Sequence, residues 1–180
     1  MPQNKDILIE PHPTLRKQAD KVKKEDISSF SIQNLIKKMA YTLVGSENGV
    51  GLAAPQIGVS LRLFIVFKKA VTLEDRVGDK KQPSNDPLEE IDAYINPEII
   101  NRSRNKIIFD EGCLSVPNMY GKIKRSEKVK IRALNEKGKT IERGASGLLA
   151  EIFQHEVDHL NGVLFIDSAK DLQEYKPKSE

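Results

Sequence analysis

Two of the three histidines in this chain stand four residues apart, in His155-Glu156-Val157-Asp158-His159. On a helix that spacing puts both imidazoles on one face, a turn apart and able to bind one metal ion, with Glu156 beside them as a candidate base. The only cysteine, Cys113, lies in Glu111-Gly112-Cys113-Leu114-Ser115 and is suited to supply a third ligand. Two nitrogens and one thiolate leave a fourth tetrahedral position open to water, the arrangement of a catalytic rather than a structural metal.

A helical wheel supports the placement. Advancing about 100° per residue from His155, His159, Leu148, Ile152 and Glu156 all fall within about 100° of it. Phe153, Leu149 and Leu160 continue an apolar arc, and Glu151, Gln154, Asp158 and Asn161 are assigned to the opposite side. The histidines therefore project inward, flanked by Leu148 and Ile152, with Glu156 adjacent.

The rest of the chain bounds the fold. At 180 residues it reads as one catalytic domain, long enough to bury a core without disulfides. A net charge of +3 spread over 29 basic and 26 acidic residues does not argue for nucleic-acid binding. A single cysteine makes no intrachain disulfide. No apolar run is long enough to cross a bilayer, and the N-terminus shows no targeting pattern. A cytoplasmic protein is expected, and a mature organellar one would look the same.

Ile32, Leu35, Ile36, Met39, Leu43 and Val44 recur at helical spacing and predict a helix over about 29–45. Gly49–Gln56 is too rich in glycine and small residues for a regular element. Leu61–Phe67 reads as a buried strand. The charged, proline-bearing stretch 68–92 reads as a surface insertion. Strand signals follow at 93–96, 106–110 and 128–134, the last alternating apolar and basic residues. The turn Asn135-Glu136-Lys137-Gly138 leads into a hairpin partner near Thr140–Arg143. A helix over about 146–161 stops at Gly162, and Val163–Ile166 predicts a short closing strand. The tail, 168–180, is polar and shows no element. The sum is an α+β fold, with antiparallel-leaning sheets around a central metal-binding helix.

Two further groups complete a candidate site. Gln56 ends the glycine-rich loop, so its amide can donate to a ligand, and Leu114 follows Cys113, so its backbone N–H lies near the same point. Two such donors suit an oxyanion, a contribution of about 3–4 kcal/mol each in well-studied enzymes. Three other readings stay open on the residues alone. Cys113 is a rival nucleophile if a histidine activates it. A metallopeptidase shares the His-Glu-x-x-His pattern, though it usually adds a histidine or glutamate ligand and only His12 remains. A catalytically silent metal-binding module is the third.

Taken together, three segments resemble the peptide deformylase family: Gly49-Val50-Gly51-Leu52-Ala53-Ala54-Pro55-Gln56, Glu111 to Ser115, and Gln154 to Gly162. They match in full and in family order, and the stretches between, from Pro11 to Asp167, are similar as well. The resemblance implies removal of the formyl group from the N-terminal methionine of nascent polypeptides, with release of formate. It implies Cys113, His155 and His159 as metal ligands, Glu156 as proton shuttle, and Gln56 with the Leu114 amide as oxyanion donors. Val50, Gly51, Leu148 and Ile152 would line the methionine pocket, and Glu111 would orient a ligand. The implied cofactor is one divalent ion, Fe²⁺ natively, with Ni²⁺, Co²⁺ or Zn²⁺ able to substitute. The implied partners are formylmethionyl nascent peptides and, transiently, the ribosome, although the tail after Asp167 is shorter than the helix some bacterial members use to dock there. No direct nucleic-acid or membrane contact is expected.

Overall fold

The computed structural model describes residues 6–46, 48–68 and 86–175. Its first helix, α1 (Phe30–Val44), is capped by Ser29, whose hydroxyl accepts from the Ile32 N–H. It buries Ile32, Ile36, Met39, Ala40 and Leu43, one stripe at helical spacing. Strands β1 (Gly51–Ala53), β2 (Leu63–Phe67), β3 (Ile91–Arg102), β6 (Lys128–Leu134) and β7 (Thr140–Ser146) form a five-stranded sheet in the order β1-β2-β3-β6-β7. A second sheet holds β4 (Lys106–Cys113), β5 (Val116–Ser126) and β8 (Lys170–Glu174), with β5 in the middle. Every strand pairing in both sheets is antiparallel.

The larger sheet is covered on both faces, which explains the unbroken apolar run in β2. Leu63 and Ile65 pack into the core shared with α1. Phe64 and Val66 point the other way, against the second helix, α2 (Gly147–Leu160), where Phe64, Tyr94 and Phe153 form an aromatic cluster. α2 is therefore central, lying on one face of the large sheet and touching β5 of the small one. Gln154 clamps it there: its amide donates to the Ser126 carbonyl at 3.0 Å and accepts from the Ser126 N–H at 3.1 Å.

α1, α2, β2, β6 and the β6–β7 hairpin stand where the sequence puts them. Several expectations are corrected. Gly51–Ala53, expected to be irregular, is a strand paired with Phe64–Val66, and Ala54–Ile57 is a 3₁₀ turn. Phe165–Asp167 is a 3₁₀ turn rather than a closing strand, because Asp167 folds back to accept from the Leu164 N–H. Lys170–Glu174 is a strand on β5, although its residues are all exposed. β5 itself carries no plain strand signal. Most of the 68–92 insertion lies outside the described residues; within its described end, Pro87–Glu90 is a 3₁₀ turn and β3 begins at Ile91.

Gly162 ends α2 at φ +73°, and a Cβ there would stand 2.6 Å from the Arg16 carbonyl oxygen. Left-handed backbone and a backbone clash act together, so Gly162→Ala is expected to cost about 2 kcal/mol or more. Urea unfolding checks this as a lower midpoint at constant slope.

Candidate active site

The site is assembled from three parts of the chain. α2 contributes His155, Glu156 and His159; the end of β4 contributes Glu111 and Cys113; β1 and the turn after it contribute Gly51 and Gln56. Cys113 Sγ and one nitrogen from each histidine lie within 4.8 Å of one another, and His159 Nε2 is 3.2 Å from the sulfur. The β4–β5 register shifts between Gly112 and Cys113, so the cysteine sits on a bulge at the strand end.

Glu111 fixes one of the candidate ligands. His155 Nδ1 is 3.0 Å from Glu111 Oε2, and an ionised carboxylate only accepts, so Nδ1 donates to Glu111 and Nε2 is the nitrogen left for a metal once it gives up its proton. Arg125 in turn grips Glu111 with Nε and Nη2, the latter at 2.8 Å, and reaches Asp158 of α2 with Nη1. Burial pushes the Glu111 carboxyl up, but the hydrogen bonds from Arg125 and His155 outweigh it and hold the group at about 2.

The remaining titratable groups are set by burial. Glu156 is pushed up to about 7, mainly by desolvation. His159 is lowered well below its ordinary value by burial and by the charge of His155, so it is neutral and ready to ligate. Burial lowers His155 as well, but hydrogen bonds to Cys113 and Glu111 raise it well above its ordinary value. A metal must therefore displace protons at this site, and its affinity falls as pH falls.

The donors fit a divalent ion. Two imidazoles and a thiolate share the preferences of borderline metals. Beside them Glu156 Oε2 is buried with no hydrogen-bond partner among the described residues, a costly state for a carboxylate unless the site brings it a proton donor.

Gln56 is oriented rather than merely nearby. Its Oε1 accepts from the Ala53 N–H at 2.8 Å, which turns Nε2 toward Ser115 Oγ (3.2 Å) and Cys113 Sγ (3.6 Å). The cavity in front of these groups has a volume of about 380 Å³. Val50, Leu114, Leu148 and Ile152 give it an apolar wall, and Asn118, Met119 and Tyr120 stand across it.

The opposite side of the α2 wheel differs from the sequence expectation. Glu151 lines the cavity, Gln154 is buried in its clamp on Ser126, and Asp158 binds Arg125. Three contributors do not stand out in the sequence as parts of a site: Arg125, Gln154 and Ser115. Gln154 adjoins the histidine pentad and has a traceable signal, whereas Arg125 stands in a lysine-rich stretch that reads as solvated surface.

Comparison with known proteins decides what this geometry belongs to. The profile of the polypeptide deformylase family matches residues 4–175. The chain belongs to that family. A peptide deformylase of Pseudothermotoga lettingae is 40% identical over 91% of the chain and 81% of that protein. Among solved structures, a peptide deformylase from Legionella pneumophila is 44% identical, with a TM-score of 0.74 over 92% of the chain and 85% of its own. A class I type b peptide deformylase from Acinetobacter baumannii with Met-Ala-Ser bound is 33% identical, with a TM-score of 0.74 over 89% and 95%. The reaction of this chain is accordingly that of a deformylase, a hydrolase that removes the N-formyl group from nascent peptides. The Cys113, His155 and His159 group suits the divalent metal such a deformylase uses.

Gly51 shows how closely this deformylase site is packed. A Cβ at that position would come within 2.5 Å of Glu156 Oε1 and 3.2 Å of an Ile152 methyl. Gly51→Ala should therefore displace the Glu156 carboxylate while the fold survives. A loss of about a hundredfold in kcat/KM is expected, the scale of a small misplacement at a reacting centre, with circular dichroism and thermal midpoint little changed.

Proposed function

We propose that Cys113, His155 and His159 hold one divalent metal ion, natively Fe²⁺, and that Glu156, Gln56 and the Leu114 backbone N–H carry the deformylation beside it. When bound, the metal supplies Lewis acidity, lowering the pKa of water and polarising the formyl carbonyl. Glu156 accepts the proton of the water that attacks the formyl carbon, a task suited by a carboxyl poised near 7. Gln56 Nε2 and the Leu114 N–H donate to the oxyanion that develops on the formyl oxygen. Glu156 then delivers its proton to the departing amine, and formate leaves with the C–N bond broken. The buried, partnerless Glu156 Oε2 is the observation that carries this reading.

The methionine side chain fits against Val50, Gly51, Leu148 and Ile152, an apolar wall matched to an unbranched thioether. One methylene in such a slot is worth about 1–3 kcal/mol, so formyl-Met is preferred rather than required. The substrate is a nascent chain, which suits an enzyme of the cytoplasm, or of an organelle that makes its own proteins, meeting the ribosome transiently. No helix among the described residues is long and apolar enough to cross a membrane. The chain acts as a single catalytic domain.

The test is metal reconstitution. Metal-free protein is loaded anaerobically with Fe²⁺, Ni²⁺, Co²⁺ or Zn²⁺, and metal content and formate release are measured for wild type, Cys113→Ser and His159→Ala. One ion per wild-type chain, fastest turnover with Fe²⁺ or Ni²⁺, and poor retention by both variants are expected. Undiminished metal binding by either variant would remove that residue from the ligand set.

A further inference from the structure

The cavity stripe of α2 reads Leu148, Glu151, Ile152, His155, positions spaced by three and four residues and therefore on one face. Three of these have a use in deformylation: two are apolar wall and one is a ligand. Glu151 has none. Its side chain makes no hydrogen bond or ion pair with any described residue, and no lysine or arginine is among the described residues that line the cavity. Glu111, nearby, is already held by Arg125 and His155. Burial, reinforced by the Glu111 charge, pushes Glu151 up to about 7 against the opposing charges of His155 and Arg125, both already engaged with Glu111.

We propose that Glu151 is a specificity residue of the peptide cleft, which selects formyl-methionyl peptides carrying lysine or arginine just after the methionine. Four helical residues separate Glu151 from His155, a rise of about 6 Å along the axis. An extended peptide advances about 3.3–3.6 Å per residue, so a chain that starts with its formyl group at Cys113 and His155 and runs along α2 toward Leu148 brings its second or third residue abreast of Glu151. A lysine or arginine reaches further than other side chains, and its flexible aliphatic stem carries the charge past the methionine to the carboxylate. An acidic residue in the same place meets an unneutralised like charge.

Because this rests on the deformylase reading of the same cavity, formyl-Met-Ala-Ser is measured first, with metal-loaded full-length protein at pH 8. The same assay then compares formyl-Met-Lys-Ser with formyl-Met-Glu-Ser, and formyl-Met-Ala-Lys with formyl-Met-Ala-Glu, in wild type and Glu151→Gln. Wild type is expected to favour the lysine member of one pair by about five- to tenfold in kcat/KM at low salt, the scale of a partly screened ion pair plus the matching repulsion. The ratio should fall toward one in Glu151→Gln and shrink with added salt. Equal rates within both pairs in wild type, or a preference that survives in Glu151→Gln, would overturn the role of Glu151 and leave deformylation standing. Absence of formate from formyl-Met-Ala-Ser would instead overturn the deformylase reading, and this inference with it.

Discussion

Replacing Glu156 with alanine is expected to lower kcat for formate release by about a thousandfold, the range of a lost general acid-base group, while the protein keeps its metal. The expectation follows from where the carboxylate stands. It shares the helix face with His155 and His159 but lies outside the Cys113, His155 and His159 donor group, and one of its oxygens is buried with no partner among the described residues. Removing it deletes the proposed proton carrier and leaves Cys113, His155 and His159 in place. The informative pair of measurements is metal content beside turnover. A variant that loses both would mean Glu156 supports the ligand set, and one that retains turnover would remove it from the chemistry. Glu156→Gln keeps the volume and is expected to be nearly as slow, because an amide cannot shuttle the proton.

The second large effect lies outside the reacting groups. Arg125→Met is expected to destabilise the fold by about 3–5 kcal/mol, since it takes the guanidinium from the buried Glu111 carboxylate and leaves it His155 alone. For a chain of this length that is a fall of about 10 °C in Tm. Metal affinity should fall with it by about ten- to a hundredfold, because Glu111 orients His155. The double variant Glu111→Gln, Arg125→Met is expected to regain part of the stability, having no buried charge left to compensate, but not the metal affinity.

The same carboxylate gives the metal-free protein an acid limit. Its folded value of about 2 lies below the ordinary 4.5, a gap worth about 3 kcal/mol. A depressed carboxylate stabilises above its unfolded value and loses that contribution as pH falls through the folded one. The chelated protein should therefore weaken steeply between about pH 4.5 and 2. Arg125→Met should lose that dependence.

What is legible in the sequence has a local cause. α1 and α2 announce themselves by apolar residues at helical spacing, and the β6–β7 hairpin by alternation and an Asn-Glu-Lys-Gly turn. That Cys113, His155 and His159 come together is legible because imidazole and thiolate are scarce in this chain and cluster in short motifs. β8 is not, because Lys-Asp-Leu-Gln-Glu has no buried face, and its strand state comes from pairing with distant β5. β5 hides behind Pro117, a left-handed Asn118 and several lysines, although Gly121, Ile123 and Arg125 do alternate inward. Arg125 shows the same limit at the site: a basic residue among basic residues becomes a buried anchor only when β4 and α2 close around it. Glu151 departs from expectation for a simpler reason. It lies only about 40° from His155 on the wheel, and a charged residue type suggests solvent where the angle points into the cavity.

The most direct test of the site follows one formyl-Met peptide through the metal-loaded enzyme. Formate and peptide products are counted together, by coupled assay and mass spectrometry. One formate for each full-length peptide bearing a free amino terminus is the predicted result, with the internal peptide bonds intact and the yield abolished in Glu156→Ala. Internal cleavage without formate would make the centre that of a metallopeptidase. A metal-loaded protein that turns over neither bond would make it a binding module, and either result would contradict deformylation through Glu156, Gln56 and the Leu114 amide.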